Sequence, residues 1–331
     1  MHDQNDGHSQ QLSEVSERPF DSRRPFVVVN PRAANGEVGE NWEQVRALLE
    51  STLGAFDFAM TDAPMAAARL AREALKSGHD LIASLGGDGT HNETVNGFFE
   101  GGQVINPAAA LAILPCGTGG DFRKSLDLSG DMREAALRIA SGSPSPCDVG
   151  RVRFVQHDGQ EAERYFINIA SFGISGLVDK KANTSSKALG GKASFMLALV
   201  RALSEFTPQR VRMVIDDRID VQAPINNVAV ANGRFFGGGM KVAPFARIDD
   251  GFFNIVIIRE MSLSDVVLTG IKVYDGKHLE SPHISHLQAR KLFAEPMGAE
   301  GDEVLLDIDG EAPGRLPATF EILPGAIRIW S

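Results

Sequence analysis

Cysteine is scarce: Cys116 and Cys147 are the only two in 331 residues, too few for a disulfide framework. Nothing at the N-terminus resembles a signal peptide, so a reducing cytoplasm is the expected setting. No apolar run reaches the ~18 residues of a spanning helix, which leaves contact with a membrane surface as the only membrane role expected. Positive charge is in deficit. The 33 Lys and Arg against 43 Asp and Glu leave a formal charge of −10, which argues against a nucleic-acid partner. Apolar residues are nearly missing from 1–24, a stretch of His, Gln, Ser, Asp and Glu read as a disordered tail.

What remains is ordinary globular protein, 43% hydrophobic and longer than the ~250–300 residues at which single cores stop growing. Two domains are expected. Residues 25–150 alternate strand and helix and predict an α/β domain with a parallel sheet. Residues 151–331 read as short β-rich runs at 150–154, 163–169, 210–215, 225–231, 251–259, 304–308, 318–323 and 326–330, the pattern of an antiparallel β-sandwich. A helical insertion at about 187–206 interrupts them, with Phe195, Met196, Leu199, Val200 and Leu203 on one face.

The stretch that organises the chain is 81–93, a short apolar run ending in Gly86-Gly87-Asp88-Gly89-Thr90 before the helix at 92–99. Glycines at a strand end let the backbone approach a phosphate, and a helix N-terminus offers it N–H groups. Thr90 adds a hydroxyl. Asp88 is a carboxylate that a triphosphate would repel unless a cation such as Mg²⁺ stood beside it. A second such corner, Pro115-Cys116-Gly117-Thr118-Gly119-Gly120-Asp121-Phe122, follows the strand at 109–114. Upstream, the strand at 25–31 ends in Asn30-Pro31, and a second strand at 56–60 runs into Thr61, read as at least a cap for the following helix.

These motifs, with Asp249-Asp250-Gly251-Phe252 and Asp309-Gly310-Glu311, resemble the bacterial diacylglycerol kinases and related lipid kinases, a family akin to sphingosine and ceramide kinases and more distantly to NAD kinase and phosphofructokinase. The resemblance runs from about Phe26 to the C-terminus. It implies ATP bound between the domains by Asn30, Pro31, Arg32, Ala33, Ala34, Thr61, Gly87, Asp88, Gly89, Thr90, His91, Asn92, Glu93 and Thr118. Glu311 corresponds to the base that deprotonates the lipid hydroxyl, and Asp88 is the second catalytic candidate; read by itself, Asp309-Gly310-Glu311 is more simply a hairpin turn. Asp250, with carbonyls near Arg247 and Phe252, corresponds to a structural Mg²⁺ site, and Asp88, Asp121 and Asp148 to a second metal network near the phosphates. Gly120 stands where many relatives carry Asn, and Glu37 where they often carry a basic residue.

The implied activity is transfer of the ATP γ-phosphoryl to a lipid alcohol, diacylglycerol first, with ceramide, a sphingoid base or another lipid such as monoacylglycerol or phosphatidylglycerol as alternatives. Apolar residues at 169–174 and the glycine-rich run 232–240 suggest an acyl-chain pocket. Lys180, Lys181, Lys187 and Lys192 favour a peripheral membrane contact, and a homodimer is left open. A soluble-metabolite kinase of the NAD type shares Gly-Gly-Asp-Gly-Thr but lacks Asp309-Gly310-Glu311 and the 115–122 corner. A non-catalytic lipid- or nucleotide-binding regulator is opposed by the intact Glu311 and Asp88.

Overall fold

The computed structural model describes residues 24–116, 120–182, 206–261, 263–298 and 303–330. Thr118 and nearly all of the helical insertion at 187–206 lie outside them, as does the proposed tail except Arg24. That residue's carbonyl lies 3.1 Å from His79 Nδ1.

The parallel sheet is built from β1 (Phe26–Val29), β2 (Asp57–Met60), β3 (Leu81–Gly86) and the later strand β6 (Ala110–Pro115), in the order β2-β1-β3-β6. A small hairpin, β4 (Phe99–Glu100) with β5 (Gln103–Val104), lies between β3 and β6 in the chain. Side chains alternate across a strand. Val27 and Val29 therefore pack with Trp42, Leu49 and Ile139 on one face, while Val28 packs with Leu70, Ala71 and Val95 on the other. The first face is covered by α2 (Trp42–Leu53) and α6 (Met132–Ser141), the second by α3 (Ala66–Lys76) and α4 (Asp88–Asn96). A short turn, α1 (Glu37–Glu40), precedes α2, with Asn41 between them.

Two short helices complete the site: α5 (Asp121–Ser125) after β6 and α7 (Ile174–Ala182) after β9. Beyond α6 the chain is mostly antiparallel: β7 (Ser145–Gln156), β8 (Glu161–Phe166), β9 (Ile169–Gly173), β10 (Gln209–Ile215), β11 (Ile219–Ala231), β12 (Phe253–Arg259), β13 (Ile284–Ala289), β14 (Lys291–Pro296), β15 (Leu306–Ile308) and β16 (Gly314–Trp330). Their inner faces bury Phe154, Phe166, Phe172, Phe253 and Phe320 in one core. Helix α8 (Leu263–Lys272) was not anticipated, and neither were β13, which pairs with β12, and β14, which pairs with β10 and β16.

β16 joins the two regions. Its first part pairs antiparallel with β14 and β7, and Arg328–Trp330 pair parallel with Ala110–Ala112 of β6. The runs at 318–323 and 326–330 are thus one strand, with a register shift between Leu323 and Ile327, and among the described residues fourteen strands share one mixed sheet.

Candidate active site

The glycine corner forms as its sequence implies, but its parts are used differently. A Cβ on Gly86 would stand 2.5 Å from Thr90 Oγ1, so this glycine makes room for the first turn of α4. Gly87 and Gly89 face open space, where a ligand can approach the backbone. Asp88 has protein donors of its own: Oδ2 accepts from Asp121 N at 2.7 Å and Oδ1 from Phe122 N at 3.1 Å. The carboxylate satisfies the first N–H groups of α5 and so ties the two glycine corners together.

The neighbouring residues hold the corner rather than face outward. Asn30 Nδ2 donates to Thr90 Oγ1 at 2.9 Å, and its Oδ1 accepts from Arg32 N. His91 is 1% exposed, with Ser84 Oγ 2.9 Å from its Nδ1, and burial lowers its pKa to about 3. A nucleotide contact from its imidazole is therefore ruled out by position. Asn92, also buried, donates to Tyr165 O and to Asp309 Oδ2, and Glu93 Oε2 accepts from Ala67 N in the first turn of α3. Thr61 does not cap that helix. Met65 occupies the capping position at φ 63°, and Thr61 N extends the pairing of β2 by donating to Val29 O. Pro31, Ala33 and Ala34 form the turn after β1, with Ala34 at φ 51° and the guanidinium of exposed Arg32 without an ion pair or hydrogen bond among the described residues.

Across from the corners lies a cavity of about 410 Å³. Ile169, Ile174, Phe236, Met240 and Val273 are among its apolar walls, and Asp88, Asp121, Asp307 and Asp309 reach it from the polar side. The two apolar segments picked out in the sequence meet here, joined by Val266, Thr269 and Gly270 of α8. Asp121 Oδ1 pairs with Lys124 Nζ at 2.6 Å and its Oδ2 accepts from Gly238 N at 2.7 Å. Lys124 is a cation at the site that sequence reasoning missed, because one lysine three positions after an acid carries no motif. Gly120, the departure from the family pattern, has φ +89°, and a Cβ there would stand 2.9 Å from Arg123 Nε.

Asp309 and Gly310 have φ 49° and 89°, and Ile308 N and Glu311 N exchange bonds with the opposing carbonyls. This is a two-residue hairpin turn of the type Asp-Gly favours. It also builds the site. Asp309 accepts from Ile169 N and Asn168 N on Oδ1 and from Asn92 Nδ2 and Ile167 N on Oδ2. Burial pushes its carboxyl up to about 7 against those donors. Glu311 does not line the cavity. Its Oε2 accepts from Arg164 Nη1 at 2.6 Å, and Oε1 has no partner among the described residues.

The proposed metal residues fall into separate settings. Asp88 and Asp121 face the cavity, whereas Asp148 Oδ1 accepts from Gly325 N and Oδ2 from Gly251 N. Asp148 therefore fastens the bend of β16 to the 249–252 turn, which separates it from the network to which it was assigned. Its carboxyl is raised by burial, with Asp250 and Asp249 adding to the shift. Asp250 accepts from Phe252 N and Gln288 Nε2, and the Arg247 guanidinium pairs with Asp249. The described residues contain no group of three or more His, Cys, Asp or Glu placed to hold a metal. Asp88 and Asp121 are the candidate acids at the cavity, but each of their four oxygens already takes a protein donor, so Mg²⁺ would need phosphates and water for most of its shell and would compete with Lys124 for Asp121.

Residues 24–152 match the diacylglycerol kinase catalytic domain, and residues 168–331 match the YegS C-terminal NAD kinase beta sandwich-like domain. The chain belongs to the diacylglycerol kinase family. It is a lipid kinase with ATP as phosphoryl donor. It is 27% identical to the diacylglycerol kinase of Bacillus subtilis over 90% of this chain and 93% of that one, and 29% identical to that of Staphylococcus epidermidis over 79% and 77%. A crystal structure of a Bacillus anthracis protein assigned as a diacylglycerol kinase superposes on this lipid kinase with a TM-score of 0.72 at 26% identity, over 93% of this chain and 94% of the other. No helix among the described residues is long and apolar enough to cross a membrane.

Proposed function

We propose that this lipid kinase phosphorylates diacylglycerol to phosphatidic acid, and that Asp88 and Asp121 are the residues that would hold Mg²⁺ for the transfer. The observation that carries this reading is the cavity beside both glycine-corner acids, whose apolar walls suit acyl chains. The relatives named diacylglycerol kinase favour that acceptor over ceramide or a sphingoid base. Main-chain N–H groups of Gly87 and Gly89, with the exposed Arg32, are the phosphate-binding groups of the corner. The ion supplies charge neutralisation of the transferring phosphoryl.

Glu311, outside the cavity lining but next in the chain to Gly310, which is part of it, acts as the base on an acceptor hydroxyl held at that edge. Asp309 is unsuited to it, since four N–H donors occupy its oxygens, whereas Glu311 keeps one oxygen open and has Arg164 to orient the other. An alcohol is a poor nucleophile at neutral pH, and a positioned carboxylate removes its proton as the γ-phosphoryl is approached.

The enzyme also touches a membrane while loading its acceptor. Helix α8 lines the cavity with Val266, Thr269 and Gly270, yet Ile271 is 69% exposed, and Phe245 on a nearby loop is 64% exposed. Lys272 and Lys277 stand exposed beside Ile271 in sequence. The side chains of Lys180, Lys181, Lys187 and Lys192 lie outside the described set.

The deciding experiment incubates the protein with γ-labelled ATP, Mg²⁺ and a total lipid extract and identifies the labelled product. Labelled phosphatidic acid is the expected result. Label confined to a phosphorylated ceramide or sphingoid base would overturn the acceptor, and label only in a water-soluble alcohol would overturn the cavity's role.

A further inference from the structure

We propose that Arg234 is a positioning residue that makes nucleotide affinity depend on what fills the acceptor cavity. The inference rests on the reading of that cavity as the acceptor site and adds a coupling that the reading does not contain.

The loop after β11 has two sides. On one, Phe236, Gly237, Gly238 and Met240 form part of the cavity wall, and Phe236 and Met240 exchange main-chain hydrogen bonds that close the loop on itself. Gly237, Gly238 and Gly239 have φ of 60°, 85° and 107°, conformations that favour glycine and give the wall freedom to shift around an occupant. On the other side the same loop grips α5 at both ends. Gly238 N donates to Asp121 Oδ2 at the helix start. At the helix end, Arg234 N donates to Ser125 Oγ at 2.8 Å, and Arg234 Nη2 donates to Lys124 O and Ser125 O, each at 2.9 Å.

Those carbonyls belong to the last turn of α5, where Lys124 O also accepts from Asp127 N, so one guanidinium bridging both fixes the end of α5 to the loop. The further pair with Asp127 Oδ1, at 2.7 Å, involves a carboxylate 81% exposed and adds little. From α5 the path continues to the nucleotide corner, because Asp121 N and Phe122 N both donate to Asp88. Cavity wall, loop, α5 and glycine turn are thus one hydrogen-bonded chain. An occupant that shifts residues 236–240 shifts α5 through Arg234 and Gly238, and with it Asp88. Linkage makes the effect mutual: lipid and nucleotide change each other's affinity by the same factor.

The test measures the affinity of a fluorescent ATP analogue for the full-length protein in detergent micelles with and without 1,2-dioctanoylglycerol. The wild type is expected to bind the analogue about fivefold or more tightly when the lipid is present, the lower end of ordinary coupling. Arg234→Ala is expected to bring that factor to about 1 while retaining a cooperative melt. Arg234→Lys restores it in part, because an ammonium carries charge without the planar fork that bridges several acceptors. Asp127→Ala keeps it. A factor unchanged in Arg234→Ala overturns the proposal. So does wild-type turnover of dioctanoylglycerol without any change in analogue affinity, an outcome that leaves the acceptor assignment standing.

Hydrogen exchange supplies a readout that needs no lipid and therefore separates this inference from the acceptor reading. The analogue alone is expected to slow exchange at amides 236–240 in the wild type and not in Arg234→Ala. Equal protection in both overturns the link, whichever lipid proves to be the acceptor.

Discussion

Asn92 Nδ2 donates to Asp309 Oδ2 at 2.7 Å, joining residues 217 positions apart. The bond ties the helix of the nucleotide corner to the hairpin that presents Glu311. Its value comes from burial, since Asn92 is 4% exposed and water cannot replace the lost donor. Asn92→Ala is expected to lose about 1–3 kcal/mol of stability in urea melts. Asn92→Asp is expected to lose more, because it sets a second carboxylate against the first. Equal midpoints for wild type and both variants would show that the bond does not hold the two elements together.

Buried His91 and half-buried Asp309 pull the pH profile in opposite directions. Asp309 has its carboxyl raised to about 7, so its folded state holds a proton that the unfolded chain has already released. The stability it contributes is present below about pH 4 and is lost as pH rises through 7. His91 is lowered to about 3, so its contribution is present above about pH 6.5 and is lost as pH falls toward 3. Melting midpoints of Asp309→Asn should gain on the wild type from pH 4 to 7, whereas those of His91→Gln should gain as pH falls below 6.5. Profiles that stay parallel to the wild type in either variant would remove the corresponding group from this balance.

Arg32 is the exposed cation of the turn after β1 and has no protein partner among the described residues to lose. Arg32→Ala is therefore expected to leave the melting midpoint in place and to raise the KM for ATP about tenfold or more, the loss of one hydrogen bond to a charged group. An unchanged KM would mean that the guanidinium points away from the phosphates in the loaded enzyme.

The parallel sheet and its corners were legible because apolar runs bounded by glycines leave few alternatives. β3 and β6 are buried throughout, and their ends fall within a residue or two of the glycine signals. β13 was hidden by its edge position: half-buried Ser285 and Leu287 alternate with exposed His286 and Gln288, and the inward pair mixes a polar with an apolar side chain, so no apolar run marks the strand. Within the site, the glycines and acids were visible but their partners were not. Nothing local to Asp88 announces that its oxygens take the N–H groups of Asp121 and Phe122, and nothing near Asp148 announces Gly325, 177 positions away. Long-range hydrogen bonding assigns a carboxylate its role, and a motif records only the carboxylate.

Membrane contact predicts a variant that spares the chemistry. Replacing both Phe245 and Ile271 with Ser removes two exposed apolar side chains that line no part of the cavity. Sedimentation with vesicles containing anionic lipid should then fall, while turnover of a short-chain lipid in detergent stays close to the wild-type value. Sedimentation unaltered by the double substitution would place the contact elsewhere on the surface.

Glu311 and Arg164 decide the chemistry. Their 2.6 Å pair joins side chains 41% and 23% exposed, so the bond orients the carboxylate more than it stabilises the fold. Glu311→Gln keeps the shape and the hydrogen bond to Arg164 but cannot take a proton. Its kcat is expected to fall by about 10²–10⁴ with KM for ATP and melting midpoint little changed. Arg164→Ala leaves the base in place but free to wander, so its loss in kcat should be smaller than that of Glu311→Gln. In the double variant the two losses should not add, because once the base is gone its orientation no longer matters. Full turnover in Glu311→Gln would dismiss this carboxylate as the base. Additive losses would instead separate Arg164 from it, leaving the arginine to contact the substrate on its own.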